Sequence, residues 1–239
     1  MIRSYFIIAT LFSGWLLSPE AIVIASNLAG MNGTVSPLII LLASIFSFFC
    51  LLLARKKNED KYVRRGWQLT VNTVDFTAAV SLAVLLPTGI LVTAGFTFNE
   101  TFVYWFPNFG FSALLLLLIL ALHMFGESIV QKGQLLFSSI AVLGILIVIS
   151  VGLFTPSSVV SGSVEPLPPG DSFKAFSTAL LLFLGLWHFP QRKHNRLELG
   201  VILFLATVII ALWQFVGVKH VVPGKLSTST IPYIFIARE

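Results

Sequence analysis

The residues able to carry chemistry in this chain are few and scattered. Glu20 follows Pro19 inside an apolar stretch, while Asp75 and Lys174 stand near the ends of two others. An ionisable group inside hydrocarbon is costly and marks function by default, whereas one near a helix end can reach the interface. The histidines are His123, His188, His194 and His220. Each lies in a different segment or loop, so no two share a helix at a spacing that would hold haem or a metal ion between neighbouring helices. Cys50, the single cysteine, lies in an apolar run and reads as a small buried hydrophobe. A Walker loop, a glycine-rich dinucleotide fingerprint and zinc-type spacing are all missing. The sequence therefore predicts no cofactor and no metal. Without carboxylates or histidines clustered at one depth, it also predicts no enzyme.

Broken helix pattern is the more informative feature. The first apolar stretch reads Phe12-Ser13-Gly14-Trp15-Leu16-Leu17-Ser18-Pro19. Glycine and proline weaken a helix, and proline removes one backbone donor. In lipid, unwound backbone survives only where it is buried in protein or lines a cavity. Ser13-Gly14 falls roughly 17 Å from the start of the chain along a helix, near the middle of a hydrocarbon core about 30 Å thick. Phe183-Leu184-Gly185 is a weaker interruption, roughly 18 Å into its own segment from the opposite side. Two interrupted helices at matching depth point to a transporter site, and small residues packing helices closely are the competing reading. Pro87-Thr88-Gly89 is a further kink candidate, read as a packing bend.

The elements that must position these residues are membrane helices. Of 239 residues, 56% are hydrophobic and 10% charged, against about 25% charged in a soluble domain. Mean hydropathy is +0.94. Apolar runs of spanning length, about 17–25 residues, predict helices over 5–27, 37–53, 76–96, 109–124, 135–154, 173–189 and 199–218. A signal peptide is the alternative for the first run. The interruption at Pro19-Glu20 and the apolar residues that resume after it favour a retained helix. The loop Arg55–Arg65 holds six basic residues, and Lys132 and Arg192, Lys193 and Arg196 mark the next loops on that side. The alternate loops have no Lys or Arg, so the positive-inside rule puts the N-terminus and the basic loops in the cytoplasm. The net charge of +5 thus reflects membrane orientation and not a nucleic-acid groove. After the seventh helix comes a polar connector, Pro223–Thr230. Ile231–Ala237 then turns apolar again, like the opening of an eighth helix.

At these positions the chain resembles the amino acid–polyamine–organocation permeases. Phe12-Ser13-Gly14-Trp15-Leu16 followed by Pro19 is similar to that family's Gly-Ser-Gly-Ile-Phe motif with its downstream proline. Ala121–Gln131 resembles the family's junction of helices four and five. Val151-Gly152-Leu153-Phe154 is similar to the end of its fifth helix, and Ser227–Ala237 with Arg238 to the approach to its eighth. Phe12 stands where the family has glycine, and Leu184 where it has a small polar residue. The basic stretch Arg55–Arg65 replaces a Pro-x-x-Gly-Gly segment. The family has about twelve helices, so the resemblance covers only its first seven.

The resemblance implies an all-α fold, partial in its five-plus-five inverted repeat, working by alternating access. It implies a secondary-active transporter of amino acids or related small organic amines in the cell membrane, driven by a proton or sodium ion. The implied substrate site is Ser13, Gly14 and Trp15 with Phe183, Leu184 and Gly185, and Glu20 is the candidate coupling residue. A truncated form, or a second chain supplying the missing helices, is one expectation. A non-transporting membrane scaffold or accessory subunit is the alternative function.

Overall fold

The computed structural model describes residues 17–57, 65–102, 105–156, 169–183, 196–229 and 231–238. Every regular element among them is helical: α1 Pro19–Asn32, a 3-10 turn Gly33–Val35, α2 Ser36–Lys57, α3 Arg65–Thr101, α4 Asn108–Met124, α5 Glu127–Phe154, α6 Pro169–Leu181, α7 Arg196–His220, α8 Pro223–Thr228 and α9 Pro232–Arg238. Among the described residues four stretches are long and apolar enough to cross a membrane: Glu20–Cys50, which runs through the 3-10 turn, Phe76–Thr101, Glu127–Phe154 and Gly200–His220. Asn108–Met124 is apolar but shorter.

Local chemistry explains where these helices begin and end, and corrects several expected boundaries. Pro19 opens the described helix α1. The Ser18 hydroxyl accepts the Ala21 N–H at 3.3 Å as N-cap, with Pro19 in the first turn. At that position proline's missing N–H costs nothing. The expected residues 5–16 lie outside the described residues. α1 runs five residues past its expected end and stops at Gly33, whose φ of 54° suits glycine. α3 is 37 residues long, about 55 Å, and absorbs Arg65 from the expected loop. α5 begins at Glu127 and not at Leu135, so Lys132 is helical. The link from α4 to α5 shrinks to Phe125-Gly126, with Gly126 at φ 99°. α6 spans Pro169–Leu181, starting four residues before its expected start, and the expected residues 184–189 lie outside the described residues. Pro223–Thr228, expected as a connector, is a helical turn.

Packing centres on α7, which lies against α1, α2 and α5. Its polar side chains are buried and paired across helices. Gln214 Nε2 donates to the Ala25 carbonyl at 2.8 Å and to the Ser36 hydroxyl at 2.7 Å, tying α1 and α2 together beside their junction. Trp213 donates to Ser26 Oγ at 2.9 Å. Thr207 spends its proton on the Leu203 carbonyl, so Ser44 donates to Thr207 at 2.8 Å. α8 sits close on α1 at Gly30, where a Cβ would come within 2.5 Å of the Ser227 nitrogen. The α3–α4 hairpin is clamped separately. Ser112 Oγ donates to the Leu91 carbonyl at 2.6 Å, and Phe98 stacks on Phe111 at 4.0 Å between ring centres.

Candidate functional site

Glu20 owes its position to the cap. Because the helix starts at Ser18-Pro19, Glu20 falls in the first turn, where a negative charge suits the helix dipole. Its side chain leaves α1 toward α3 and meets it at Gly89: a Cβ built there would lie 3.8 Å from Glu20 Oε1. Both carboxylate oxygens are enclosed, and among the described residues neither has a hydrogen-bond partner on another helix. The polar groups beside it are its own backbone N–H and the Ser18 hydroxyl. Of the Pro87-Thr88-Gly89 kink candidate, Gly89 thus faces the carboxyl, while Pro87 and Thr88 are exposed. α3 stays helical through Pro87, and the Thr88 hydroxyl donates to the Val84 carbonyl at 2.7 Å.

Further along α3 stands α9. Ile236 is buried beside Gly217 of α7 and Leu226 of α8, which fixes the short helix near α1. From there Tyr233 reaches α3, and its hydroxyl is hydrogen-bonded to Thr97 Oγ1. Thr97 already donates to the Thr93 carbonyl at 2.8 Å, so Tyr233 is the donor of this pair. Tyr233 also lies within electrostatic reach of Glu20. The Glu20 carboxyl, with the Ser18 hydroxyl beside it, thus meets α3 at Gly89, and the Tyr233–Thr97 pair lies eight residues further along α3, about 12 Å away. The carboxyl can hold a proton. The site has no nucleophile with a base beside it. Among the described residues no three His, Cys, Asp or Glu side chains gather as they would for a metal ion.

Of the residues expected to bind substrate, Ser13, Gly14, Trp15, Leu184 and Gly185 lie outside the described residues. Phe183 is described. It follows the end of α6 in a turn, its N–H donating to the Leu180 carbonyl at 3.0 Å, and its ring is buried in the same apolar cluster as Leu17 and Ala21. The reading from sequence missed Tyr233 and Thr97. Their only trace was a hydroxyl set in an apolar run. It also missed Gln214, a carboxamide in the middle of the seventh apolar segment, which was the clearest available sign of a buried polar contact.

No family model, no curated protein and no solved structure matches this chain.

Proposed function

We propose that this chain is a multi-pass cell-membrane protein of about seven spans, with a cytoplasmic N-terminus. In this reading it is a secondary-active transporter of amino acids or related small organic amines. The observation that carries the reading is Glu20, a carboxyl whose oxygens are enclosed between α1 and α3 in an apolar bundle and which, among the described residues, has no partner on another helix. A group that costly is kept where its charge state does work. The work proposed is ion coupling, by a proton or a sodium ion, to the geometry of α1. Ser13, Gly14 and Trp15, just upstream, receive the substrate carboxylate on free backbone N–H groups. Carbonyls at Phe183, Leu184 and Gly185 receive the amino group. The end of α6 at Leu181 supports interrupted backbone at that place.

The test is uptake into proteoliposomes, with labelled amino acids and polyamines under an imposed proton or sodium gradient. Glu20→Gln lowers gradient-driven uptake about tenfold while sparing exchange of labelled for unlabelled substrate. Undiminished gradient-driven uptake in Glu20→Gln removes the coupling assignment, and undiminished transport in Gly14→Leu removes the substrate assignment.

One observation favours a second reading, a non-transporting scaffold or accessory subunit. Only 7% of the apolar window in α3 is buried, which leaves a broad apolar face for another membrane protein. Co-purification with a membrane partner, and no uptake without it, selects that reading.

A further inference from the structure

Two buried carboxamides are bonded to neighbouring carbonyls where α1 gives way to α2. Gln214 of α7 donates to the Ala25 carbonyl at 2.8 Å, and Asn32 donates to the Leu28 carbonyl at 2.9 Å. Those carbonyls are three residues apart on one face of α1, about 4.5 Å along its axis. Each nitrogen is held by a carbonyl oxygen, so the orientation of each amide is fixed. Gln214 is 0% exposed and Asn32 1%. Among the described residues neither Gln214 Oε1 nor Asn32 Oδ1 receives a hydrogen bond. Asn32 and Ser36 flank the 3-10 turn between the helices, and Ser36 is also buried. The Ser36 oxygen accepts from Gln214 at 2.7 Å, and among the described residues its own proton has no acceptor.

Two unmet acceptors and one unmet donor are the complement of a water molecule, which donates twice and accepts at least once. A sodium ion would meet the two amide oxygens and leave the Ser36 proton unanswered. Leaving all three groups unanswered would cost each its desolvation. We propose that one internal water binds at this junction, accepting from the Ser36 hydroxyl and donating to Gln214 Oε1 and Asn32 Oδ1. Gly33, at φ 54°, reverses the chain between Asn32 and Ser36. The direct bonds of Gln214 hold α7 to both helices on either side of that reversal. The water adds Asn32 to the same network and so ties the reversal itself to α7. The joint between α1 and α2 is therefore hydrated, and its amides can exchange partners without facing apolar side chains. The inference goes beyond the transport reading and does not depend on it.

The test uses the full chain in lipid bilayers, isotope-labelled on Asn, Gln and Trp nitrogen, with magnetisation transferred from water in solid-state NMR. The side-chain amides of Asn32 and Gln214 are identified by their loss in Asn32→Leu and Gln214→Leu. Both are expected to receive water magnetisation as fast as exposed amides do. The indole N–H of Trp213, also buried but bonded to Ser26, stays dark and serves as the control. Ser36→Ala removes the proton that anchors the water, and transfer to both amides falls about threefold. In the double variant Asn32→Leu/Gln214→Leu, the loss in the folding equilibrium constant is about fivefold smaller than the product of the separate losses. Amides as dark as Trp213 in the wild-type chain overturn the water, whether or not the variants fold. Amide resonances that move when sodium replaces choline at constant ionic strength overturn it in favour of a cation. Transfer unchanged by Ser36→Ala, or separate losses that simply multiply, overturns the bridge.

Discussion

Helices α7 and α3 are both apolar enough to span a membrane, yet 44% of the apolar window of α7 is buried against protein and only 7% of that of α3. Most of their hydroxyl and amide groups follow the same division, the exceptions being Thr97 of α3, bonded to Tyr233, and Ser112 of α4, bonded to the Leu91 carbonyl of α3. In the packed half, Ser44 bonds Thr207, Trp213 bonds Ser26 and Gln214 bonds Ser36, each across helices. In the peripheral half, Thr77, Thr88, Ser139 and Ser150 each donate to a carbonyl four residues back on their own helix. Lipid offers these groups no partner, so a hydroxyl that finds none on a neighbouring helix turns back on its own backbone. Polar side chains that cross between helices therefore mark protein contact better than apolar ones, since a leucine packs as well on lipid as on protein.

The sharpest way to test that division is at glycine. In the packed half, a Cβ on Gly30 would meet the Ser227 nitrogen at 2.5 Å and the Pro223 carbonyl oxygen at 2.7 Å, both backbone. Gly30→Ala is expected to cost about 3 kcal/mol or to prevent folding. In the peripheral half, Gly144 has nothing within 4 Å, so Gly144→Ala is neutral or gains about 0.5–1 kcal/mol from helix propensity. Denaturation in mixed micelles reads both. Equal effects would dissolve the distinction.

Gln214→Leu is the next largest. It keeps the volume but removes two hydrogen bonds that tie α1 to α2, at a cost of about 1–2 kcal/mol. The same substitution logic at Ser150, whose bond is to its own helix, predicts a change under about 0.5 kcal/mol for Ser150→Ala.

Lys219 is one place where the two halves are joined. Its ammonium donates to the carbonyls of Gly152, Leu153 and Thr155 at 3.1, 2.9 and 2.6 Å, capping the C-terminus of α5, and His220 Nε2 meets the Gly152 carbonyl at 2.7 Å. A cation there suits the helix dipole. Lys219→Met is expected to cost about 1 kcal/mol and to speed amide exchange at the end of α5 while leaving α1 unchanged. Faster exchange in α1 as well would mean that the halves unfold together.

Helix existence was largely legible in the sequence, because apolar runs of spanning length have few other uses. Asn108–Met124 begins one residue from its expected start and ends where expected. Boundaries were less legible where polar residues continue a helix: Glu127–Gln134 reads as loop by hydropathy, yet α5 includes it, its Glu127 and Gln131 side chains bonded one turn apart. Pro19 read as an interruption of the apolar stretch, and the Ser18 cap gives that position its physical form, a first-turn proline at the start of α1. Glu20 was legible from the cost of its charge. Tyr233 and Thr97 were not, because 136 positions separate them and only the fold brings them together.

The smallest expected effect probes the outward face of the peripheral half. Leu117 of α4 is 61% exposed, and neighbouring Leu114 and Leu118 are also exposed. If lipid covers this face, Leu117→Ala trades one apolar surface for another and lipid chains fill the space. The stability change then stays within about 0.5 kcal/mol. If a second membrane protein covers it, the truncated side chain leaves a cavity, and the loss in the assembled state is about 2 kcal/mol or more. The isolated chain in nanodiscs and the chain purified from its native membrane must therefore be measured side by side. A small effect in both assigns the face to lipid, whereas a small effect in nanodiscs and a large one in the native preparation assigns it to a partner. That second result would turn the contrast between the halves into one between a self-contained core and a docking surface.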